Sequence, residues 1–239
     1  AQIRKIFFEY TDLVEPLSLD EAFLDVTTNK KEMASATQIA VEIRKKIELR
    51  TKLTASAGVS INKFLAKAAS DYNKPNGQKT IPPEEALSFI ESLDIRKFHG
   101  VGKVTAAKMY RLGIYSGKDI KTWPLEELSE IFGKAGANYF NVVRGVHSSP
   151  VKPSRLAKSV GVEQTFVRNL SSEIYLEQRL ADIVKALEKR LANKSTSGKT
   201  ITLKIKYEDF VVQTRSKTLQ FYICDGSFCL LYTSPSPRD

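Results

Sequence analysis

Asp20 and Glu21 stand side by side in a stretch, Leu17 to Val26, that is otherwise rich in Leu, Ala, Phe and Val. An unpaired charge is costly to bury. Two acids in such a stretch therefore call for a compensating cation, and paired oxygen donors favour Mg²⁺. Neighbouring side chains of a strand point to opposite faces, so both carboxylates reach one ion only if the strand ends or turns near Glu21. The plainer alternative is a solvated acidic turn, since most acids lie at the surface. Lys74, in Asp71-Tyr72-Asn73-Lys74-Pro75-Asn76-Gly77, is a mobile point charge of the kind that meets phosphate. Pro75-Asn76-Gly77 is a turn signal, and a surface turn without further role is the alternative there. In Gly100-Val101-Gly102-Lys103 the two glycines would let backbone N–H groups approach a phosphate at a helix start, with Lys103 and Lys108 adding charge. A tight helix–helix turn is the alternative; the absence of a preceding strand argues against a dinucleotide-binding loop.

These groups need elements to hold them. Met33, Ala36, Ile39, Ala40, Ile43 and Ile47 fall at i, i+3, i+4 spacing, which predicts a helix over 32–50. Leu53 to Ile61 is small and β-branched and reads as a strand. Asn62 is placed to cap a helix that turns Phe64, Leu65 and Ala68 inward. Pro82-Pro83 marks a boundary, after which residues 84–145 read as short helices broken by glycines. Residues 148–154 read as a linker. Beyond it, Ser159 to Phe166 is a strand candidate. A helix is expected from an N-cap at Ser172 to Asn193, burying Ile174, Leu176, Leu180, Ile183, Val184, Leu187 and Leu191. Thr200 to Tyr207 alternates Ile201, Leu203 and Ile205 with Thr202, Lys204 and Lys206, a half-buried strand with one basic face. Phe210 to Leu219 reads as its hairpin partner, with Arg215 and Lys217 alternating on one face. Asp25 reads as a turn cap, and His147 and Trp123 as packing or surface residues.

The 239 residues suit one or two domains and carry a net charge of +10. Residues 150–239 hold 15 Lys and Arg against 9 Asp and Glu. A basic C-terminal third fits a polyanionic partner; a merely soluble basic domain is the alternative. No apolar run approaches the roughly 20 residues that span a bilayer, and no secretory signal opens the chain. Cys224 and Cys229 form no metal-binding pattern, so the expected compartment is the reducing cytoplasm.

Ser18-Leu19-Asp20-Glu21-Ala22-Phe23-Leu24-Asp25 resembles the palm motif of Y-family DNA polymerases, in particular their bacterial DinB branch. The resemblance continues in Leu53 to Ser60, Lys63 to Asp71, Asn73 to Gln78, Gly100 to Lys103 and Lys158 to Glu163, in family order over residues 1 to about 220. It implies an α+β protein comprising a partial palm with an α/β sheet (1–81), an all-helical thumb with a helix-hairpin-helix (82–149), a linker (150–157) and an incomplete α+β little finger (158–228).

It also implies roles. Asp20 is a metal ligand; Glu21 is a ligand or orients the primer-side metal, so the pair is the catalytic centre for two Mg²⁺ ions. Lys74 meets the phosphates of an incoming deoxynucleoside triphosphate, with Asp71 positioning it. Gly100, Val101, Gly102, Lys103 and Lys108 bind the DNA backbone; the family usually has proline where His99 stands. Lys158, Arg215 and Lys217 grip the duplex from the little finger. The implied activity is template-directed DNA synthesis that tolerates damage. Its partners are primer–template DNA, deoxynucleoside triphosphates and, for the full-length parent, a sliding clamp; the protein is expected to be a monomer with no membrane association.

Two further expectations concern the ends. The earlier palm strand with its metal-binding aspartate and the fingers have no match here, so the chain reads as a piece truncated at both ends with little polymerase activity alone. Cys229 to Asp239 resembles translated sequencing adapter and is expected to be read-through. The rival readings are a non-catalytic helix-hairpin-helix DNA-binding module and a two-metal nuclease.

Overall fold

A computed structural model describes residues 2–223; the cysteines and the expected read-through at 229–239 lie outside the described residues. The chain divides into two compact units, residues 1–155 and 156–239.

The first unit opens with α1 (Gln2–Phe8), which packs on α2 (Ala36–Thr51) through Ile6, Tyr10, Ile39, Ile43 and Ile47. This is the apolar stripe read from the spacing. The helix begins later than its periodicity predicts. Glu32 sits at φ 54°, outside helical geometry, and Ser35 Oγ accepts from Gln38 N as the N-cap. β1 (Val14–Pro16) and β2 (Ala22–Leu24) form an antiparallel hairpin in which Val14 faces Leu24 and Pro16 faces Ala22.

β3 (Ala57–Val59), α3 (Lys63–Ser70) and β4 (Gln78–Thr80) form a parallel strand–helix–strand unit. The predicted strand over 53–61 shortens to three residues because only Gln78–Thr80 is available to pair; Leu53 and Ile61 are exposed. Asn62 caps α3 as predicted, accepting from Leu65 N at 2.9 Å. Gly58 lies so close to α3 that a Cβ there would stand 1.9 Å from the Ala66 carbonyl oxygen. Backbone cannot yield as a side chain does, so Gly58→Ala should cost at least about 1–3 kcal/mol of stability, read as a lower denaturant midpoint; an unchanged midpoint would show that strand and helix slide apart freely.

The larger core joins Phe64, Leu65, Ala68 and Ala69 of α3 to a helical array. The array comprises α4 (Ala86–Ser92), α5 (Lys103–Arg111), α6 (Gly117–Lys121), α7 (Leu125–Phe132) and α8 (Lys134–Val142), as the glycine spacing predicts. The core runs straight across Pro82-Pro83: Ile81 and Ala86 are both buried within it. Trp123 packs against it, and the His147 ring lies 6.4 Å from that of Phe64.

In the second unit α9 (Glu173–Asn193) starts at its predicted cap, Ser172. Its apolar side is covered less than expected. Leu180, Ile183, Val184, Leu187 and Leu191 are half-buried, whereas Ile174 and Leu176 are exposed. One helix and one hairpin supply few apolar partners, and Ile223 is the unit's one fully buried apolar residue among those described. Residues 159–166 form no strand ladder. They are held instead by Arg190 donating to the Gly161 carbonyl at 2.5 Å and by a Lys204–Glu163 ion pair. β5 (Gly198–Lys206) and β6 (Val212–Ile223) form the predicted antiparallel hairpin.

Candidate functional site

The acidic pair sits on the β1–β2 turn. Leu17 N and Ser18 N both donate to the Glu21 carbonyl, closing the loop. Ser18 Oγ accepts from Glu21 N at 3.1 Å and donates to Asp20 Oδ1 at 2.6 Å. A serine that bonds backbone two and three residues on is a turn-maker, and here it also aims the first carboxylate. The turn expected near Glu21 is therefore present, but its burial is not. Asp20 is exposed, Glu21 half-buried and Leu19 fully exposed. Leu19 faces solvent because a five-residue loop between Pro16 and Ala22 lifts it off the sheet. Asp25 accepts from Thr27 N at 3.0 Å, the cap role read from the sequence.

Behind the turn runs a series of ion pairs. Lys67 on α3 lies 3.0 Å from Glu21 Oε1 and 2.9 Å from Asp71 Oδ2, and Lys74 pairs with Asp71 Oδ1. Burial works against the Lys67 charge, but the bonds to Asp71 and Glu21 outweigh it and raise its affinity for the proton. The Ser18 hydroxyl and the turn backbone, helped by the charges of Lys74 and Lys67, hold the Asp20 carboxyl below its ordinary range. Lys74 and the acidic pair thus belong to one electrostatic unit, 53 residues apart in sequence. Arg44, which sequence reasoning missed, pins the Lys74 turn: its guanidinium donates to the Asn76 carbonyl at 2.5 Å, the Asn76 side chain at 2.9 Å and the Ala55 carbonyl at 2.8 Å.

The buried carboxylate of this unit is another residue. Glu15 on β1 is 1% exposed. It accepts from Lys63 Nζ at 2.8 Å and Lys152 N at 2.8 Å, and pairs with Arg155. Lys63 also donates to the Pro150 carbonyl at 3.0 Å. The stretch read as a linker is consequently strapped to β1 and α3.

At the glycine turn, residues 95–97 form a single 3₁₀ turn, Gly100 takes φ +91° and Gly102 is the N-cap of α5. A Cβ on either glycine would meet nothing within 4 Å, so the turn is open at both positions. Asp94 fixes the approach. Its carboxylate binds the Arg96 guanidinium and amide and the Tyr110 hydroxyl, and the Arg96 bond chiefly draws it down to about 2. Lys103 is exposed beside the turn. Lys108 is turned away from it, donating to the Ile131 carbonyl at 2.7 Å at the end of α7. Lys67, Asp71, Tyr72, Lys97, His99 and Gly100 line a shared cavity of about 410 Å³, which connects the ion-pair series to this turn.

In the second unit, Lys158 is exposed in an irregular segment. Directly opposed residues of an antiparallel pair share a face. Leu203 opposes Arg215, Ile201 opposes Lys217, and Lys204 opposes Thr214. Arg215 and Lys217 therefore share one face, as predicted, but it is the face of Ile201 and Leu203. Lys204 and Lys206 lie on the other face, with the Thr200–Thr218 and Thr202–Ser216 hydroxyl pairs. The basic side chains of the hairpin are divided between its two faces.

Mg²⁺ is commonly held by one or two carboxylates, water and substrate phosphates. Asp20 and Glu21, adjacent and reachable on a turn, fit that pattern. No group of three or more His, Cys, Asp or Glu converges among the described residues. The donor set suits an ion completed by substrate oxygens rather than one caged by protein.

Known proteins resemble this chain along most of its length. Residues 1–71 match the impB/mucB/samB family, residues 83–114 the IMS family HHH motif, and residues 157–229 the impB/mucB/samB family C-terminal domain. DNA polymerase IV of Leptospira interrogans is 53% identical over 218 residues, covering 91% of this chain and 60% of that protein. DNA polymerase IV of Listeria monocytogenes is 50% identical over 226 residues, covering 95% and 64%. The chain thus spans roughly three-fifths of the length of these curated relatives. Among solved structures, a Y-family DNA polymerase chimera, Dbh-Dpo4(243-245)-Dbh, matches with a TM-score of 0.75 at 30% identity, covering 97% of this chain and 67% of that one. DinB from Sulfolobus solfataricus matches with a TM-score of 0.60 at 28% identity, covering 97% and 67%. Three consecutive family matches, relatives at about half identity and a shared α+β fold lead to one conclusion: the chain belongs to the impB/mucB/samB family of DinB-type Y-family DNA polymerases.

Proposed function

We propose that the protein is a DNA-directed DNA polymerase of the translesion type, extending a primer with deoxynucleotides. The observation that carries this reading is the union of Asp20, Glu21 and Lys74 in one charged unit through Lys67 and Asp71. Carboxylates able to ligate a metal beside an exposed cation that can turn to phosphate are what phosphoryl transfer requires. Two Mg²⁺ ions, when bound, activate the primer hydroxyl and steady the leaving pyrophosphate. Asp20 and Glu21 supply oxygen ligands from the protein, and Lys74 neutralises the triphosphate. Residues 1–81 act as palm, 82–149 as thumb and 158–228 as little finger. The Gly100–Lys103 turn holds the backbone of the DNA, joined by Lys158, Arg215 and Lys217. A cytoplasmic monomer working with a sliding clamp completes the proposal; no described helix is long and apolar enough to cross a membrane.

Primer extension by the intact gene product tests it. The primer should lengthen only with template, deoxynucleoside triphosphates and Mg²⁺ together. Shortening of the primer without nucleotides would favour a nuclease, and binding without either change would favour a DNA-binding module.

Backbone contacts carry no sequence information but depend on salt. Duplex affinity should fall some tens-fold between about 50 and about 200 mM salt for about three phosphate contacts. Gly102→Ala should weaken it while changing stability by no more than about 1 kcal/mol, because the added methyl meets no protein atom within 4 Å and stands on the turn proposed to face the DNA backbone. A gel shift indifferent to salt and to Gly102→Ala would remove the turn from the interface.

A further inference from the structure

Glu21, Lys67, Asp71 and Lys74 alternate in charge along one continuous series. Its members differ in access. The Lys67 side chain is 16% exposed, against 38% for Glu21 and 52% for Lys74. The ends can therefore meet ligands, while the enclosed ammonium is shared between two acids. Lys67 stands 3.0 Å from Glu21 Oε1 and 2.9 Å from Asp71 Oδ2. A divalent cation approaching Glu21 meets this ammonium at the same carboxylate, and like charges at such separations repel strongly. A second acceptor already lies within bonding distance of Lys67, so the ammonium can leave Glu21 without losing a partner. Asp71, once it holds Lys67 alone, brings that ammonium closer to Lys74, which its other oxygen binds.

We propose that Lys67 is a place-holder for the catalytic cation. It neutralises Glu21 in the metal-free protein and passes wholly to Asp71 when the cation arrives. The resulting repulsion loosens Lys74 from Asp71 and turns it toward the triphosphate. Lys67 and Asp71 are positioning residues in this scheme, and they couple metal occupancy to nucleotide capture. The inference rests on the proposed function above, with Asp20 and Glu21 as ligands.

Mn²⁺ binding to the intact gene product, followed by the electron paramagnetic resonance of the free ion, tests it without turnover. Lys67→Gln removes the competing charge and should tighten Mn²⁺ binding about 3–10-fold. Asp71→Asn strands Lys67 on Glu21 and should weaken binding by a similar factor. The double variant should follow Lys67→Gln. Damage to the fold would weaken binding in all three, so the opposite signs identify the mechanism. Unchanged or weaker binding in Lys67→Gln overturns the place-holder role; if Asp20→Ala still loses Mn²⁺, the site reading stands. An Asp20→Ala protein that binds Mn²⁺ as the wild type does overturns the site reading and the inference with it.

Discussion

Asp20→Ala should abolish primer extension by the intact gene product, reducing it by at least about 10²–10³-fold, with duplex binding and melting temperature nearly unchanged. The size follows from removing a group that fixes charge where it develops in the transition state. The selectivity follows from the structure. Asp20 is exposed, and its carboxylate accepts a hydrogen bond from the neighbouring Ser18 hydroxyl. Ser18 keeps its bond from Glu21 N without it, so the turn survives. Surface substitutions of this sort usually shift stability by no more than about 0.5 kcal/mol. Glu21→Ala should also stop extension, but by a route that also releases Lys67. Extension and duplex binding measured side by side check both. Extension by Asp20→Ala at the wild-type rate would remove the acidic turn from the chemistry.

The second large effect concerns folding. Glu15→Ala should destabilise the protein by about 3–5 kcal/mol, because it strips a buried pair of one partner and leaves charge uncompensated. At about 2–4 °C per kcal/mol for a chain of this size, that is a fall of roughly 6–20 °C in melting temperature. Three groups lose this carboxylate at once: the Lys63 ammonium, which keeps the Pro150 carbonyl, the Lys152 amide and the Arg155 guanidinium. The variant should therefore also expose residues 148–155 to proteolysis. Burial opposes the Glu15 charge, but the Lys63 bond, the Lys152 amide and the Arg155 charge outweigh it, and the carboxyl lies below its ordinary 4.5. A depressed carboxylate stabilises fully above its unfolded value, and that stability is lost as pH falls through the folded value. His147 acts in the same sense at a higher pH. Burial and the Lys63 charge hold it below 6.5, so the unfolded chain takes up the proton first as pH falls. Melting temperature followed from pH 7 downward should fall first as His147 takes up its proton and again as the depressed carboxylates do, and Glu15→Gln should make the lower stage smaller. A Glu15→Ala protein that melts with the wild type would mean that the strap contributes nothing.

Local chemistry was readable where it is local in space. The caps at Asn62 and Ser172 and the stripe Ile39–Ile43–Ile47 need only neighbouring residues, and each stands where its spacing puts it. The same holds for the turn at Asp20–Glu21. What was not readable depends on distant partners. Glu15 reads as an ordinary strand residue until residues 152 and 155 return to cover it. Arg44 looks like one more charge on a helix face, although its partner is 32 residues away. Lys108 sits at a plausible spacing from Gly102, but α7 supplies an acceptor that takes it. The division of basic residues between two hairpin faces follows from register alone, which alternation within one strand does not reveal.

The most direct test of the central claim is to crystallise the intact gene product with primer–template, a non-hydrolysable deoxynucleoside triphosphate and Mn²⁺, and to locate the metal by anomalous scattering. The account predicts a Mn²⁺ peak within bonding distance of Asp20 and Glu21, the triphosphate against Lys74, and Lys67 moved onto Asp71. A peak elsewhere, with Asp20 and Glu21 still facing solvent, would contradict it.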